Sequence, residues 1–261
     1  RQTRFPITHI DLATLDRGPA AVAAAIDRAV ARGARHVTFD AAAPEHLDNI
    51  AGLALDRYPG TLLCGSAGLA RSMARRLGAG RPAAPSTRNG ASGPLVGHWL
   101  FVCGSASERL RRQVGVLVDQ AGVGIETLAP DGWTADRAFE SRAAAVQRAA
   151  RRLAAGDLVL NLGPPSPGPA SIDPAVLTAR LADVVAGVAA AVRPGGLFLS
   201  GGDTALAVLE RLGARAVRLE CERGSGLVYG ILMGGLLEGA AVVTKAGAFG
   251  PPDALLAMKA A

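Results

Sequence analysis

Two glycine-rich turns, each entered directly from a short apolar run, limit what this chain can fold into. Residues 196–199 (Gly-Leu-Phe-Leu) lead into Ser200-Gly201-Gly202-Asp203-Thr204-Ala205, and residues 240–243 (Ala-Ala-Val-Val) lead into Thr244-Lys245-Ala246-Gly247-Ala248-Phe249-Gly250. A short apolar run bounded by glycine reads as a buried strand, and a turn leaving it toward a helix is the junction of a parallel α/β sheet. Such junctions bind phosphate because glycine admits conformations and close approaches that a side chain would block. The following helix adds unpaired amides and its positive dipole end. Lys245 is one of two lysines in a chain whose other basic residues are arginine, and it places a compact ammonium in the second turn. One such glycine motif is compatible with an ordinary turn; the pair in one chain favours a polyanion site.

The same rhythm runs along the rest of the sequence. Residues 7–12 form an apolar run, 18–31 an alanine-rich helix stopped near Gly33, 36–39 a strand, 44–55 a helix, 61–64 a strand, and 66–77 a helix ended by Gly78 and Gly80. Between 78 and 94 there is no periodic apolar face, only Gly, Pro, Ser, Ala and polar residues, which reads as an exposed connection. Beyond it, strands expected at 95–103, 124–128, 158–162, 196–199, 216–219 and 241–243 alternate with helices at 108–121, 136–154, 173–193 and 203–212. The expected fold is α/β in two domains, each a largely parallel sheet flanked by helices: 1–79, a linker at 80–94, and 95–261. The proline-rich stretch 163–169 continues neither helix nor strand, and fits a rigid surface connection or a rim loop.

Composition removes several classes of function. Hydrophobic residues are 49% and charged residues 19% of the 261, a globular balance, and no uninterrupted apolar run approaches the roughly 18 residues that span a bilayer. The net charge of +6 attracts anions. Its arginines are spread along expected helices and aromatics are only 4%, too few for base-stacking platforms, so small anionic metabolites fit better than nucleic acid. Cys64, Cys103 and Cys221 show no paired spacing, which argues against a disulfide framework or zinc site and points to a reducing cytoplasm. The chain opens Arg1-Gln2-Thr3 with neither an initiator methionine nor the apolar core of a signal peptide, so no export signal is expected. The four histidines lack ligand spacing and receive no role. Assembly into a homo-oligomer is compatible with this reading.

Four segments together resemble the four-carbon acid sugar kinase family, ATP-dependent kinases of threonate, erythronate and their 3-oxo relatives. They are Cys64-Gly65-Ser66-Ala67-Gly68-Leu69-Ala70, Cys103-Gly104-Ser105-Ala106-Ser107 with Gln113 downstream, residues 200–205, and residues 243–250. The resemblance spans nearly the whole chain. The family's opening Asp-Asp-x-Thr-Gly type motif, which helps hold the sugar acid, has no counterpart here, so the chain resembles the later part of a substrate domain joined to a whole nucleotide domain. Ala246 and Ala248 stand where the family commonly shows serine and glycine, and Leu110 where a threonine often follows. A lost hydroxyl that had bonded phosphate or Mg²⁺ would cost about 0.5–3 kcal/mol.

Phosphoryl transfer asks a protein to position two reactants and neutralise charge, using amide cradles, a cation and a metal-holding carboxylate. The resemblance implies that Gly201, Gly202 and Thr204 cradle ATP phosphates, that Ser105 and Ser107 line the same crevice, and that Gly247 lets the nucleotide approach. Asp203 then holds Mg²⁺, directly or through water, or else caps the helix it opens. Lys245 is the candidate for neutralising the γ-phosphate. Ser105 and Ser107 equally suit capping of the helix at Glu108. Gly65 and Ser66 fit either the carboxylate or product phosphate of a sugar acid, or tight packing with no ligand. Asp40, ending strand 36–39, is a second substrate-side candidate. The implied activity is transfer of the ATP γ-phosphate to a hydroxyl, the terminal one, of a four-carbon sugar acid in an interdomain cleft. A nucleotide- or metabolite-binding protein without turnover is the alternative.

Overall fold

The structure, a computed structural model, describes residues 5–78, 97–104, 107–129, 138–163, 173–223, 226–247 and 249–260. Its chain divides into two compact units, Arg1–Arg88 and Asn89–Ala261. The expected linker at 80–94 and most of the proline-rich stretch at 163–169 lie outside the described residues.

The first unit runs β1 (Ile7–Ile10), α1 (Leu12–Asp16), α2 (Pro19–Ala31), β2 (His36–Phe39), α3 (Pro44–Asp56) and α4 (Ala67–Arg76). Its two strands pair in parallel from Ile7 opposite His36 to Ile10 opposite Phe39. Helix starts follow local chemistry: Asp11 accepts the Thr14 amide at 2.9 Å, and α2 and α3 open on prolines, whose missing N–H costs nothing in a first turn. Ile10, Leu15, Val22, Ile26, Ile50 and Leu69 make the core. The strand expected at 61–64 does not form. A strand needs a partner edge for its amides, whereas the Thr61 amide turns back to Tyr58 O and Leu62 is 92% exposed.

The second unit holds β3 (Trp99–Cys103), α5 (Glu108–Ala121), β4 (Gly124–Leu128), α6 (Ala138–Ala155), β5 (Leu158–Leu162), α7 (Pro174–Ala191), β6 (Gly196–Ser200), α8 (Gly202–Arg211), β7 (Ala216–Glu222), β8 (Leu227–Met233), β9 (Ala241–Lys245) and α9 (Ala254–Ala260). The sheet order is β4-β5-β3-β6-β9-β8-β7; the first five strands are parallel, and β8 and β7 are antiparallel additions. Strand β8 was not expected, because Gly226 and Gly230 break its apolar run; Gly230 lies opposite Leu219, beside a bulge in β7.

Alternation along the strands sorts the core into two layers. Leu100, Val102, Leu158, Leu160, Leu197, Leu199 and Val242 pack under α6, α7 and α8. Phe101, Cys103, Val159, Phe198 and Val243 pack under α5 and α9. Helix α7 is long and apolar enough to cross a bilayer by length and composition, yet it buries Leu181, Val184, Val185 and Val188 against the sheet layer, and its Asp183 pairs with Arg142 and Arg211. Among the described residues one acidic side chain is buried, Glu126 of β4, and it is held by Arg148 at 2.9 Å and Arg152 at 3.4 Å. That pairing is what makes its burial tolerable.

Candidate functional site

Strands β3 and β6 lie side by side, but the chain leaves them in opposite directions. After β3, α5 returns over one face toward β4; after β6, α8 returns over the other face toward β7. Diverging junctions of this kind open a crevice at the carboxyl ends of the strands, which is where open α/β sheets take ligands. Both glycine turns and the Gly104 turn end there.

A row of residues crosses the sheet at that edge in register: Asn161, Cys103, Ser200 and Lys245. All four share the α5/α9 face with Val159, Phe101, Phe198 and Val243 beneath them. Cys103, Ser200 and Lys245 are buried. Burial pushes the Cys103 thiol up to about 12, against the opposing pull of the Lys245 charge, so it stays protonated. Ser200 Oγ and Asn161 Oδ1 are enclosed and have no hydrogen-bond partner among the described residues. Orphaned buried oxygens are unusual, and these two lie in one row at the carboxyl ends of the strands.

At Gly201 the backbone takes φ 101°, which disfavours any side chain. Its N–H donates to Lys245 O at 2.9 Å, and its carbonyl accepts from Ala205 at 2.9 Å, the first bond of α8. Gly201 therefore supplies the turn but no free donor. The free donors are the first-turn amides of Gly202, Asp203 and Thr204, which no side chain caps. The other wall is Gly104, where an added Cβ would run into the Thr204 side chain, so glycine allows the close approach of the two junctions.

Asp203 is exposed in the first turn of α8 and makes no hydrogen bond or ion pair among the described residues. Its alternative role as helix cap is not used, since Gly201 holds the cap position. Ser107 does cap α5, accepting the Leu110 amide at 3.2 Å. Ser105 lies outside the described residues.

Lys245 points under the second turn. Its ammonium donates to the carbonyls of Ala246 at 2.9 Å, Gly247 at 3.2 Å and Phe249 at 2.9 Å. Burial holds its pKa below the ordinary lysine value; Cys103 acts in the opposite sense, and Arg109 adds to the lowering. Gln113, fully buried on α5, grips the same loop through the carbonyls of Phe249, Gly250 and Pro251 at 2.8–3.2 Å. Beside it, Glu108, Arg109, Arg112, Gly250, Pro251 and Pro252 line an open cavity of about 460 Å³. Sequence reasoning gave Gln113 and Arg109 no role. The available signal was a polar residue at Gln113 on the apolar face shared by Leu110, Val114 and Leu117.

In the first unit, Asp40 follows β2 and faces His9 across the paired strand ends, Nε2 to Oδ2 at 3.3 Å; His9 Nδ1 lies 3.0 Å from Thr38 Oγ1. Ser66 occupies the cap position of α4 with its hydroxyl unused, and Gly65 lies where a Cβ would meet Leu69 Cδ2 at 2.7 Å. No hydrogen bond or ion pair among the described residues joins Asp40 to Gly65 or Ser66.

Both parts of the chain resemble known proteins. The family profile described as a nucleotide-binding C-terminal domain matches residues 100–255, more than half of the chain, and the one described as a sugar-binding N-terminal domain matches residues 1–73. The D-threonate kinase of Bordetella bronchiseptica is 34% identical over 253 residues, 96% of this chain and 60% of that protein. The 3-oxo-tetronate kinase of Methylobacterium radiotolerans is 30% identical over 263 residues, 97% of this chain and 60% of that protein. Among solved structures, a Salmonella typhimurium LT2 protein described as a putative tRNA synthase shares the fold, with a TM-score of 0.70 at 20% identity over 99% of this chain and 60% of its own. A Bordetella bronchiseptica protein of the DUF1537 type, solved as a domain-swapped dimer with bound citrate, gives a TM-score of 0.55 at 26% identity, covering 97% of this chain and 58% of its own. The chain thus spans about 60% of the length of the curated relatives it matches. With both halves of the pattern matched in order, the chain belongs to the four-carbon acid sugar kinase family.

Proposed function

We propose that the chain serves an ATP-dependent kinase that phosphorylates a four-carbon sugar acid, threonate, erythronate or 3-oxo-tetronate, on its terminal hydroxyl. The observation that carries this reading is the junction of the Gly104 and Gly201 turns at the carboxyl ends of β3 and β6, where the first-turn amides of α8 have no side-chain cap. In the reading, the amides of Gly202, Asp203 and Thr204 hold the phosphate oxygens of ATP, the Thr204 hydroxyl, itself buried against Gly104, reaches them only at the edge of the turn, and Ser105 and Ser107 are further proposed contacts. Gly201 shapes the turn, and Gly247 keeps the second wall low.

Mg²⁺ is handled by one or two carboxylates plus phosphate oxygens and water, and a lone, exposed, unpaired Asp203 fits that demand. No cluster of three or more His, Cys, Asp or Glu side chains suited to a metal occurs among the described residues, so the nucleotide itself would complete the coordination. The ion's chemistry would be charge neutralisation across the phosphates. The protein's share is to fix the triphosphate and exclude alternative poses. When the sugar hydroxyl bonds the γ-phosphorus, the bond to the bridging oxygen breaks, ADP departs and the hydroxyl proton is released. Asp40, Gly65 and Ser66 are the proposed contacts for the acid, with His9 orienting the Asp40 carboxylate.

Homo-oligomeric assembly and a cytoplasmic setting belong to the same proposal. The test is ADP formation measured with Mg²⁺·ATP across a panel of four-carbon sugar acids. Acid-dependent ADP release with at least one tetronate is expected; ATP binding with no transfer to any of them would favour a binding protein without turnover.

A further inference from the structure

We propose that Lys245 is a positioning residue rather than a phosphate ligand: its buried ammonium turns the carbonyls of the second glycine turn inward, so that the Gly247 and Gly250 amides face the ligand. This rests on the nucleotide reading above and assigns the receptor for part of the triphosphate.

An ammonium has three N–H donors and no more, and all three are committed here, to Ala246, Gly247 and Phe249. Lys245 is only 3% exposed, so no face of it is left for an anion. In a trans peptide the N–H points opposite to the carbonyl of the preceding residue, and no cis peptide is present among the described residues. With the Ala246 and Phe249 carbonyls drawn onto the ammonium, the amides of Gly247 and Gly250 project the other way. Neither donates a backbone hydrogen bond among the described residues. The Phe249 amide between them turns inward to Ala246 O at 3.2 Å, so Gly247 and Gly250 offer two separate donors on the side of the loop away from the ammonium.

Two further contacts support a built device. Gln113 Nε2 holds Phe249, Gly250 and Pro251 from the α5 side, so the loop is gripped by two buried side chains. The Lys245 carbonyl also accepts the Gly201 amide at 2.9 Å, so one residue sets both glycine turns: the first through its backbone, the second through its side chain.

The decisive experiment is NMR of the ¹⁵N-labelled chain, titrated separately with Mg²⁺·ATP and with inorganic triphosphate. The Lys245 ammonium resonance is expected to be protected from exchange and to stay in place on addition of ATP, while the Gly247 and Gly250 amide resonances shift. Binding to variants adds a second readout. Lys245→Met and Lys245→Arg should both raise KM for ATP on the order of tenfold with little change in kcat, because a planar guanidinium cannot direct donors at three converging carbonyls. Gln113→Met should move KM in the same direction with the Lys245 charge intact. A Lys245 resonance that moves with ATP, or full rescue by arginine, would overturn the proposal. ATP binding with both glycine amides unmoved also sinks it while leaving the nucleotide reading in place. Triphosphate shifting those amides while ATP fails to bind leaves the loop assignment standing and removes the nucleotide reading; silence toward both probes removes both.

Discussion

Asp203→Asn is expected to lower turnover roughly a hundredfold or more while leaving the fold intact, because in the proposed role its charge serves the metal-bound triphosphate and nothing in the fold. The carboxylate is exposed, makes no contact among the described residues, and does not cap its own helix. An exposed substitution away from packing changes stability by only about 0.5 kcal/mol, so the melting temperature should hold within about 2 °C. Calorimetry with Mg²⁺·ATP and steady-state kinetics check this together. Unchanged Mg²⁺·ATP affinity in a folded variant would refute the metal-holding role.

The second large effect lies one layer below. Phe101 and Phe198 are paired across β3 and β6, both fully buried, with ring centroids 5.6 Å apart. Alternation puts them directly beneath Cys103 and Ser200, so they are the floor on which the crevice rests. Phe198→Ala is expected to cost about 3–5 kcal/mol through lost burial and a residual cavity. For a unit of this size that corresponds to a drop of roughly 6–20 °C in melting temperature, measured by calorimetry. A loss below about 1 kcal/mol would mean that the layer repacks freely and that the crevice has no rigid floor.

Much of this was readable before any coordinates. The α/β alternation, the limits of α5, β4 and β5, and the two glycine turns at strand ends all follow from periodicity and glycine placement. The strand at 61–64 failed because an apolar run says nothing about whether an edge is available to pair with it. Strand β8 went unseen for the converse reason: Gly230 weakens the local signal, but pairing on both sides with β7 and β9 overrides it.

The site divides the same way. Glycines announce a turn, and so Gly104, Gly201 and Gly202 were legible as turn residues. Which amides remain free is a property of the sheet register, which gives the Gly201 N–H to Lys245 O and leaves Gly202, Asp203 and Thr204 open. The direction of Lys245 was likewise hidden. A lysine in a phosphate-type turn suggests contact with the anion, but strand alternation carries this one to the buried face, where loop carbonyls take its donors. Gln113 shows the complementary lesson: a lone amide on an apolar helix face is buried because three carbonyls wait for it.

The most direct test of the account is a crystal structure of the chain with Mg²⁺ and a non-hydrolysable ATP analogue. The account predicts phosphate oxygens within hydrogen-bond distance of the Gly202 and Thr204 amides, with the metal on Asp203. A nucleotide bound elsewhere in the second unit, with the Gly104 and Gly201 turns unliganded, would contradict it.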